Sequence, residues 1–303
     1  MASHPAGRDL LTLARPALAP TAAADVLAAV ALGGGAATGT LLLAAIGSAC
    51  LYMGGMVQND LCDRERDMRL SPDRPLARRP ELLPRAYALL ALLFGGGLLL
   101  TALAGAALYG SLIVLSASAY NLGLKTRFPV DALLMGTTRV LNLGLGFAVA
   151  GLTLESLPRA YWAYGAAYLT FIAGVTAASR IEDLGPEPTV RLGLLFTFTV
   201  QAGAILLLPV VAGLPLWPFA APAALLAAAL AAAYRGASRR ETKRYVRRSL
   251  LLIVLLHAAV LAAHDRIEAI APLLGCAAAS FLLFALLAPP TSAPPPAPPP
   301  AAG

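Results

Sequence analysis

Residues 58–67 read Gln-Asn-Asp-Leu-Cys-Asp-Arg-Glu-Arg-Asp, and they follow directly on a long apolar run. On a helix, Asn59, Asp63 and Asp67 lie at i, i+4 and i+8, and Asp60 adds a further carboxylate to the same face. Three stacked carboxylates at a membrane boundary repel one another unless a cation or a dense set of arginines neutralises them. Because all four side chains offer oxygen ligands, the spacing predicts bound Mg²⁺.

The composition of the whole chain predicts a membrane protein. Hydrophobic residues make up 58% of the 303 residues, charged residues only 13%, and the mean hydropathy is +0.73. These values lie far from those of an ordinary soluble domain. We therefore predict an all-α, polytopic integral membrane protein with about nine to ten transmembrane helices of roughly 18 to 22 residues each. A single intramembrane domain over residues 1–288 is the simplest organisation.

Ten apolar runs can be placed along the chain. The tenth is predicted either to span the membrane or to lie at its surface, so the predicted number of spans is nine or ten. An uncharged turn near Gly39 is predicted between the first two. The segment 289–303 is predicted to be a disordered Pro/Ala-rich tail, because its proline triplets cannot form a packed helix. A ligand for a proline-recognition module is the alternative. The predicted spans cover about residues 22–40, 41–58, 84–104, 106–121, 131–152, 160–178, 191–212, 216–234, 248–263 and 269–288.

The basic residues lie almost entirely in loops on one side of these spans. The net charge is +7, and of the 23 Lys and Arg only Arg159 and Arg266 fall in loops of the other side. The positive-inside rule places the acidic stretch on the cytoplasmic side and explains the positive charge without a nucleic-acid partner. A basic loop at 235–248 is predicted to contact anionic lipid. The abundance of Ala, Arg, Gly and Pro is typical of a GC-rich bacterial genome, which predicts the bacterial cytoplasmic membrane.

The acidic stretch resembles the first aspartate-rich motif, Asn-Asp-x-x-Asp-x-x-x-Asp, of the UbiA superfamily of intramembrane prenyltransferases, and Arg74-Pro75-Leu76 follows it as in that family. Tyr120 to Lys125 (Tyr-Asn-Leu-Gly-Leu-Lys) resembles the family's Tyr-x-x-x-x-Lys segment. The resemblance implies a helical bundle around a central cavity, with cytoplasmic loops over a diphosphate and a lateral opening for the isoprenoid tail. It also implies Mg²⁺-dependent transfer of a prenyl group, within the lipid bilayer, from a polyprenyl diphosphate to an acceptor that the sequence leaves undefined.

The residue types support such a reaction. An allylic diphosphate ionises when its leaving group is neutralised, and Mg²⁺ binds through carboxylates and phosphate oxygens. The predicted metal ligands are Asn59, Asp60, Asp63 and Asp67, of which the three carboxylates are the predicted catalytic residues. Arginine and lysine suit phosphate oxygens, and an apolar chamber protects the allylic cation from water. The predicted diphosphate site comprises Asn59, Arg66, Arg74, Tyr120, Lys125, Arg139, Asn142, Arg180, Glu182 and Asp183.

The chain departs from the family after the sixth span, where a second motif with Asp-x-x-x-Asp spacing is expected. Residues 179–187 read Ser-Arg-Ile-Glu-Asp-Leu-Gly-Pro-Glu, so Arg180 stands in the place of the first aspartate. Glu182 and Asp183 are adjacent and cannot share one helical face. One interpretation is that Arg180 replaces the charge of a second metal. The other is that catalysis is lost or altered, which predicts a non-catalytic or carrier-like member that binds or moves a prenylated lipid.

Arg139 and Asn142 lie within the predicted fifth span. A charged side chain is costly in hydrocarbon, so we expect Arg139 to face the interior of the bundle, with Asn142 one turn away. Two interpretations are open for Arg139, namely contact with substrate or structural pairing with an acid such as Asp131. His257, on an apolar run, is predicted to be a satisfied residue of the bundle.

Overall fold

The computed structural model describes residues 6–181, 187–236 and 238–287. Every regular element within these ranges is a helix, which confirms the all-α class. Glu182, Asp183 and the predicted tail at 289–303 lie outside the described residues. The helices are α1 (Ala6–Ala14), α2 (Ala19–Leu32), α3 (Thr38–Cys62), α4 (Arg64–Leu70), α5 (Pro75–Arg78), α6 (Leu83–Leu103), α7 (Ala107–Leu122), α8 (Val130–Val149), α9 (Arg159–Ile181), α10 (Glu187–Ala212), α11 (Ala220–Gly236), α12 (Arg239–Ala263) and α13 (Ile270–Leu287).

Eight helices in the described part of the chain are long and apolar enough to cross a membrane. The protein is therefore an integral membrane protein, as the composition predicts. The apolar α7 has only 16 residues, and the aromatic and hydroxyl residues of α9 lower its hydropathy, so the predicted count of nine to ten spans stays a prediction. The eight segments are Gly7–Leu32, Thr38–Cys62, Pro80–Leu103, Val130–Val149, Pro188–Ala212, Trp217–Gly236, Arg240–Ala263 and Ile267–Leu287.

The predicted turn near Gly39 is misplaced. Helix α2 already ends at Leu32, and α3 begins at Thr38. Gly34 and Gly35 adopt φ values of 103° and 97°, a backbone conformation that glycine reaches without a steric penalty. These two residues therefore reverse the chain several positions earlier than the hydrophobicity pattern suggests.

The predicted basic loop is also largely helical. Helix α12 begins at Arg239, and the Ser238 hydroxyl accepts a hydrogen bond from the backbone N–H of Glu241. Ser-x-x-Glu is the signature of a capping box, and Arg and Lys are good helix formers. The basic residues between positions 240 and 248 therefore form the first turns of the helix that also supplies the ninth predicted span.

Helix α2 lies at the centre of the packing, in contact with α3, α8, α12 and α13. Its contact with α8 is close because Gly146 faces it. A Cβ atom at Gly146 would lie 2.7 Å from both the Ala29 Cβ atom and the Val26 carbonyl oxygen. Backbone atoms cannot move aside as the end of a long side chain can, so the α2–α8 contact depends on this glycine.

We expect Gly146→Ala to lower the free energy of unfolding by about 1 to 3 kcal/mol, the usual cost of overpacking. Thermal unfolding in detergent would measure it. Gly203→Ala is the matched control, because a Cβ atom at Gly203 in α10 would meet no atom within 4 Å. Alanine there should be neutral or stabilise the helix by up to about 1 kcal/mol. Equal effects at the two positions would contradict the packing argument.

Candidate active site

The acidic motif lies where α3 ends. Asn59 and Asp60 occupy the last turn of α3, Asp63 links α3 to α4, and Asp67 lies in α4. Asp63 has φ −85° and ψ −3°, so the backbone bends only slightly and the carboxylates stay on neighbouring turns. The predicted single helical face is thus divided between two consecutive helices.

Asp60 is the most enclosed carboxylate of the motif, with 4% of its surface exposed. Its Oδ1 atom accepts hydrogen bonds from Arg15 Nη2 at 2.7 Å and from Arg74 Nη1 at 3.1 Å. Arg74 Nε also lies 3.8 Å from Asp67 Oδ2. Arg74 is therefore where the sequence predicts it, against the acidic motif. Arg15 is an additional member of the cluster, and no motif in the sequence predicts it.

Lys125 and Arg180 form the other side of the cluster. Lys125 Nζ lies 2.7 Å from Asp63 Oδ1. Arg180 Nη2 donates to the Lys125 backbone carbonyl at 2.9 Å, and its Nε lies 2.7 Å from Asp131 Oδ2. Asp131 is only 1% exposed, so Arg180 neutralises a buried carboxylate. Asp60, Asp63, Asp67 and Asp131 thus each have a cationic neighbour.

Tyr120 and Arg66, two further residues of the predicted diphosphate site, lie apart from these ion pairs. Tyr120 lines the cavity described next. Arg66 is exposed on α4, and within the described ranges no hydrogen bond or ion pair joins it to the carboxylates. Its predicted role at the diphosphate therefore stays a prediction.

A mainly apolar cavity lies in the bundle between α2, α3, α7 and α8, next to the acidic cluster, whose carboxylates do not themselves line it. Met56, whose sulfur accepts a hydrogen bond from Arg15, lines one end, and Ser48 lines the other. These two residues are eight positions apart on α3, which corresponds to about 12 Å along the helix axis. The free volume is about 70 Å³, against roughly 300 Å³ or more for common ligand pockets. A prenyl chain would therefore have to displace flexible lining side chains such as Met56 and Met135.

The inner end of the cavity is a buried polar network centred on Asp25, which is fully buried. Asp25 Oδ1 accepts from Arg139 Nη2 at 3.1 Å and from the Tyr168 hydroxyl at 2.6 Å, and it lies 2.8 Å from His257 Nε2. Asn142 Nδ2 donates to Asp25 Oδ2 at 2.9 Å. Four helices therefore meet at one carboxylate, which offsets the charge of Arg139 inside the bundle.

This network gives Arg139 a structural partner, and the predicted contact of Arg139 with substrate stays a prediction. The structural pairing is the one observed, but the acid is Asp25, because Asp131 pairs with Arg180. Arg139 lies eight residues from Asp131 on α8, or about 12 Å along the axis. Arg139 and Asn142 line the inner end of the cavity, and the structure does not bring them to the acidic cluster with which the sequence analysis groups them.

The predicted role of His257 as a satisfied residue of the bundle is confirmed. Its two ring nitrogens are hydrogen-bonded to the hydroxyl of Tyr164 and to the carboxylate of Asp25. The imidazole therefore joins α12 to α9 and α2.

The carboxylate oxygens of the acidic cluster are ligands of the type that Mg²⁺ prefers. Across residues 6–181, 187–236 and 238–287, no three Asp, Glu, His or Cys side chains converge on one metal-sized position. Mg²⁺ commonly binds through only one or two carboxylates together with phosphate oxygens and waters. Asp60, Asp63 and Asp67 can supply these carboxylates, and the buried Oδ1 of Asp131 has no hydrogen-bond partner in the described chain.

Burial raises the pKa of the Asp67 carboxyl, and the charge of Arg74 only partly opposes this effect. A protonated carboxyl is a poor Mg²⁺ ligand. On acidification, we therefore expect Mg²⁺ affinity to begin to fall above the ordinary aspartate pKa of about 3.9. Calorimetric titration of Mg²⁺ against pH would measure this, and Asp67→Asn should move the fall to lower pH. An unchanged pH profile in that variant would show that Asp67 is not a ligand.

Comparison with known proteins identifies the fold. The chain is similar to the apo structure of a UbiA homologue from Aeropyrum pernix K1, with a TM-score of 0.65 and 21% identity over 81% of this chain and 97% of that chain. It is also similar to a structure of digeranylgeranylglyceryl phosphate synthase, with a TM-score of 0.60 and 18% identity over 87% and 99% of the two chains.

A third similar structure is that of a UbiA homologue from Archaeoglobus fulgidus bound to DMAPP and Mg²⁺. Its TM-score is 0.55, and its identity is 15% over 83% of this chain and 99% of that chain. At such identities the likeness shows the fold alone. No curated protein matches the chain in a sequence search. The profile of the UbiA prenyltransferase family, however, matches residues 17–255. Because that match covers most of the sequence, the chain belongs to the UbiA prenyltransferase family.

Proposed function

We propose that the protein transfers a prenyl group from a polyprenyl diphosphate to an acceptor in an Mg²⁺-dependent reaction. The observation that carries the proposal is the position of three carboxylates, each beside a cation, at one end of an apolar intramembrane cavity. We further propose that this end faces the bacterial cytoplasm and that residues 1–288 form one catalytic domain.

The chain's own residues suit the two demands of the reaction. When bound between carboxylates and diphosphate, Mg²⁺ would neutralise the leaving group. Arg15 and Arg74 now donate to Asp60, and Lys125 is paired with Asp63. All three cations can donate instead to diphosphate oxygens. The C1–O bond then breaks with its electron pair on the diphosphate, and the acceptor bonds to C1 and loses a proton. The apolar cavity keeps water from the allylic carbon.

A second candidate function is that of a binding or carrier protein for a prenylated lipid. Two observations favour it. Arg180 occupies the position expected for an acid of the second motif and is engaged with Asp131. The cavity is also small for a prenyl chain. A protein that binds without chemistry has no need of a second set of carboxylates.

The experiment that separates the two functions uses purified protein, farnesyl or geranylgeranyl diphosphate and Mg²⁺. Calorimetry measures binding of the prenyl diphosphate, and an assay for released inorganic diphosphate with candidate acceptors measures turnover. Binding that needs Mg²⁺ and is followed by diphosphate release supports the transferase. Binding without release, with all acceptors, supports the carrier. Absence of diphosphate binding with Mg²⁺ present contradicts the transferase.

A further inference from the structure

The two arginines that contact Asp60 come from separate segments of the chain. Arg15 follows α1 and reaches Asp60 Oδ1 at 2.7 Å, whereas Arg74 precedes α5 and reaches the same atom at 3.1 Å. Their side chains are 35% and 41% exposed, so burial alone does not fix them. The positions of both arginines at the acidic cluster therefore depend on what holds α1 and α5.

A buried acid joins these two helices. Asp9 lies in α1 and is 4% exposed. Its Oδ1 atom accepts a hydrogen bond from Arg78 Nη2 at 2.8 Å, and its Oδ2 atom accepts one from Arg79 Nη1 at 3.0 Å. Arg78 is the last residue of α5, and Arg79 follows it. A buried carboxylate is costly to leave without its cationic partners, so Asp9 holds α1 against α5.

The same short helix carries Arg74 at its start. The Arg74 carbonyl accepts a hydrogen bond from the Arg78 backbone N–H at 2.9 Å, so one helical turn separates the arginine at Asp60 from an arginine at Asp9. Pro75 opens this turn, and its fixed φ angle favours the helical conformation there. The position of Arg74 is therefore coupled to the contact between Arg78 and Asp9.

The other arginine is coupled to Asp9 through α1. The Arg15 backbone N–H donates to the Leu11 carbonyl at 3.1 Å, and the backbone of Arg15 itself adopts φ 49° and ψ 51°. This left-handed conformation is unfavourable for a residue with a side chain, and it persists where surrounding contacts hold it. Leu13 is fully buried in an apolar cluster with residues of α3, α5 and α6. Asp9 and Leu13, one turn apart on α1, therefore fix the segment from which Arg15 projects.

We propose that Asp9 is a positioning residue, which holds Arg15 and Arg74 against Asp60 through the contact between α1 and α5. Its effect on diphosphate binding rests on the proposed function, in which both arginines turn from Asp60 to the diphosphate. An arginine whose backbone is already fixed loses less conformational freedom when it binds an anion. Without the charge of Asp9, the two arginines are less well placed and the diphosphate binds more weakly.

The test measures binding of farnesyl diphosphate with Mg²⁺ to the full-length protein by calorimetry. Asp9→Asn keeps the size of the side chain and should raise the Kd by about tenfold or more, the usual effect of removing a residue that orients a ligand-binding group. Asp9→Glu keeps the charge and should stay within about threefold of the wild type. The number of sites per protein should not change, whereas a purely structural defect would lower that number and leave the Kd as it is.

The matched control is Glu81→Gln. Glu81 accepts a hydrogen bond from Arg79, as Asp9 does, but its side chain is 63% exposed and it follows α5. Its substitution should leave the Kd unchanged. A double variant shows through which residues Asp9 acts. In an Arg15→Gln background, the effect of Asp9→Asn should fall to about threefold, because Arg74 is then the one arginine of the pair left to displace.

Three results of the binding experiment would overturn the proposal. The first is a Kd for Asp9→Asn equal to that of the wild type. The second is an equal rise in Kd for Asp9→Asn and Glu81→Gln, which would indicate a general effect of acidic charge near α5. The third is an undiminished effect of Asp9→Asn in the Arg15→Gln background.

Failure of the proposed function is distinguishable from these results, because it appears as absence of diphosphate binding by the wild type. Hydrogen exchange without ligand then tests the hold of Asp9 on α1. Asp9→Asn should accelerate amide exchange in residues 6–18, and Glu81→Gln should not. Equal exchange in the wild type and both variants would overturn the proposal.

Discussion

Replacing Asp25 by alanine is expected to lower the free energy of unfolding by about 3 to 5 kcal/mol, the usual cost of leaving a buried charge without its partner. Arg139 is 7% exposed and cannot reach water without rearrangement of the bundle. Asn142, Tyr168 and His257 would also lose a shared acceptor. Thermal or denaturant unfolding in detergent would measure the loss.

Two further variants make the test specific to charge. Tyr168→Phe removes one donor to the same carboxylate and leaves the ion pair intact, so it should cost only about 1 to 2 kcal/mol. Asp25→Ala combined with Arg139→Leu removes both charges and should recover much of the stability. If the double variant is as unstable as Asp25→Ala, the buried charge pair does not account for the loss. The network then stabilises the protein through packing and hydrogen bonds.

Replacing Asp63 by asparagine is expected to weaken Mg²⁺-dependent binding of a prenyl diphosphate by at least about a hundredfold. Loss of a charged partner in an enclosed site costs about 3 kcal/mol, and each 1.4 kcal/mol is tenfold. The substitution keeps the size of the side chain, so any change comes from the lost charge. Calorimetry with and without Mg²⁺ would measure it, and diphosphate release should fall in parallel.

The matched control for Asp63→Asn is Glu65→Gln, two residues further along. Glu65 is exposed in the first turn of α4, so its substitution removes the same charge from the same segment without touching the cluster. It should bind the diphosphate like the wild type. If both variants lose affinity equally, general charge at this end of the bundle is responsible. If neither does, the acidic motif is not the diphosphate site.

The acidic cluster could be predicted in part because its signals are local. The spacing of the carboxylates and the nearby Arg74 lie within one short stretch, and Lys125 ends a recognisable segment. Arg15 could not be found in this way, because 45 residues separate it from Asp60 and no pattern joins them. Its backbone adopts φ 49° and ψ 51° between α1 and the next turn, a conformation that side-chain contacts must hold in place.

The polar network shows a different limit. Asp25 stands alone in an apolar run, and an ionisable residue within a span is itself a signal of a buried partner. That signal could have identified Asp25, but it could not identify which of the distant cations it meets. Asp131 is closer to Arg139 in sequence, yet it faces Arg180. Hydrophobicity fixes which residues lie inside the bundle, whereas helix packing decides which of them touch.

The long separations within this network bear on how the protein is made. Asp25 lies in the first candidate span, but Arg139 follows it by 114 residues and His257 by 232. A carboxylate at the centre of an inserting helix costs about 2.5 to 3.5 kcal/mol. The leading helix is therefore synthesised with a charge that later helices neutralise. We expect it to settle in the bilayer only after the helix that carries Arg139 has emerged, so biosynthesis must shelter an incomplete bundle until then.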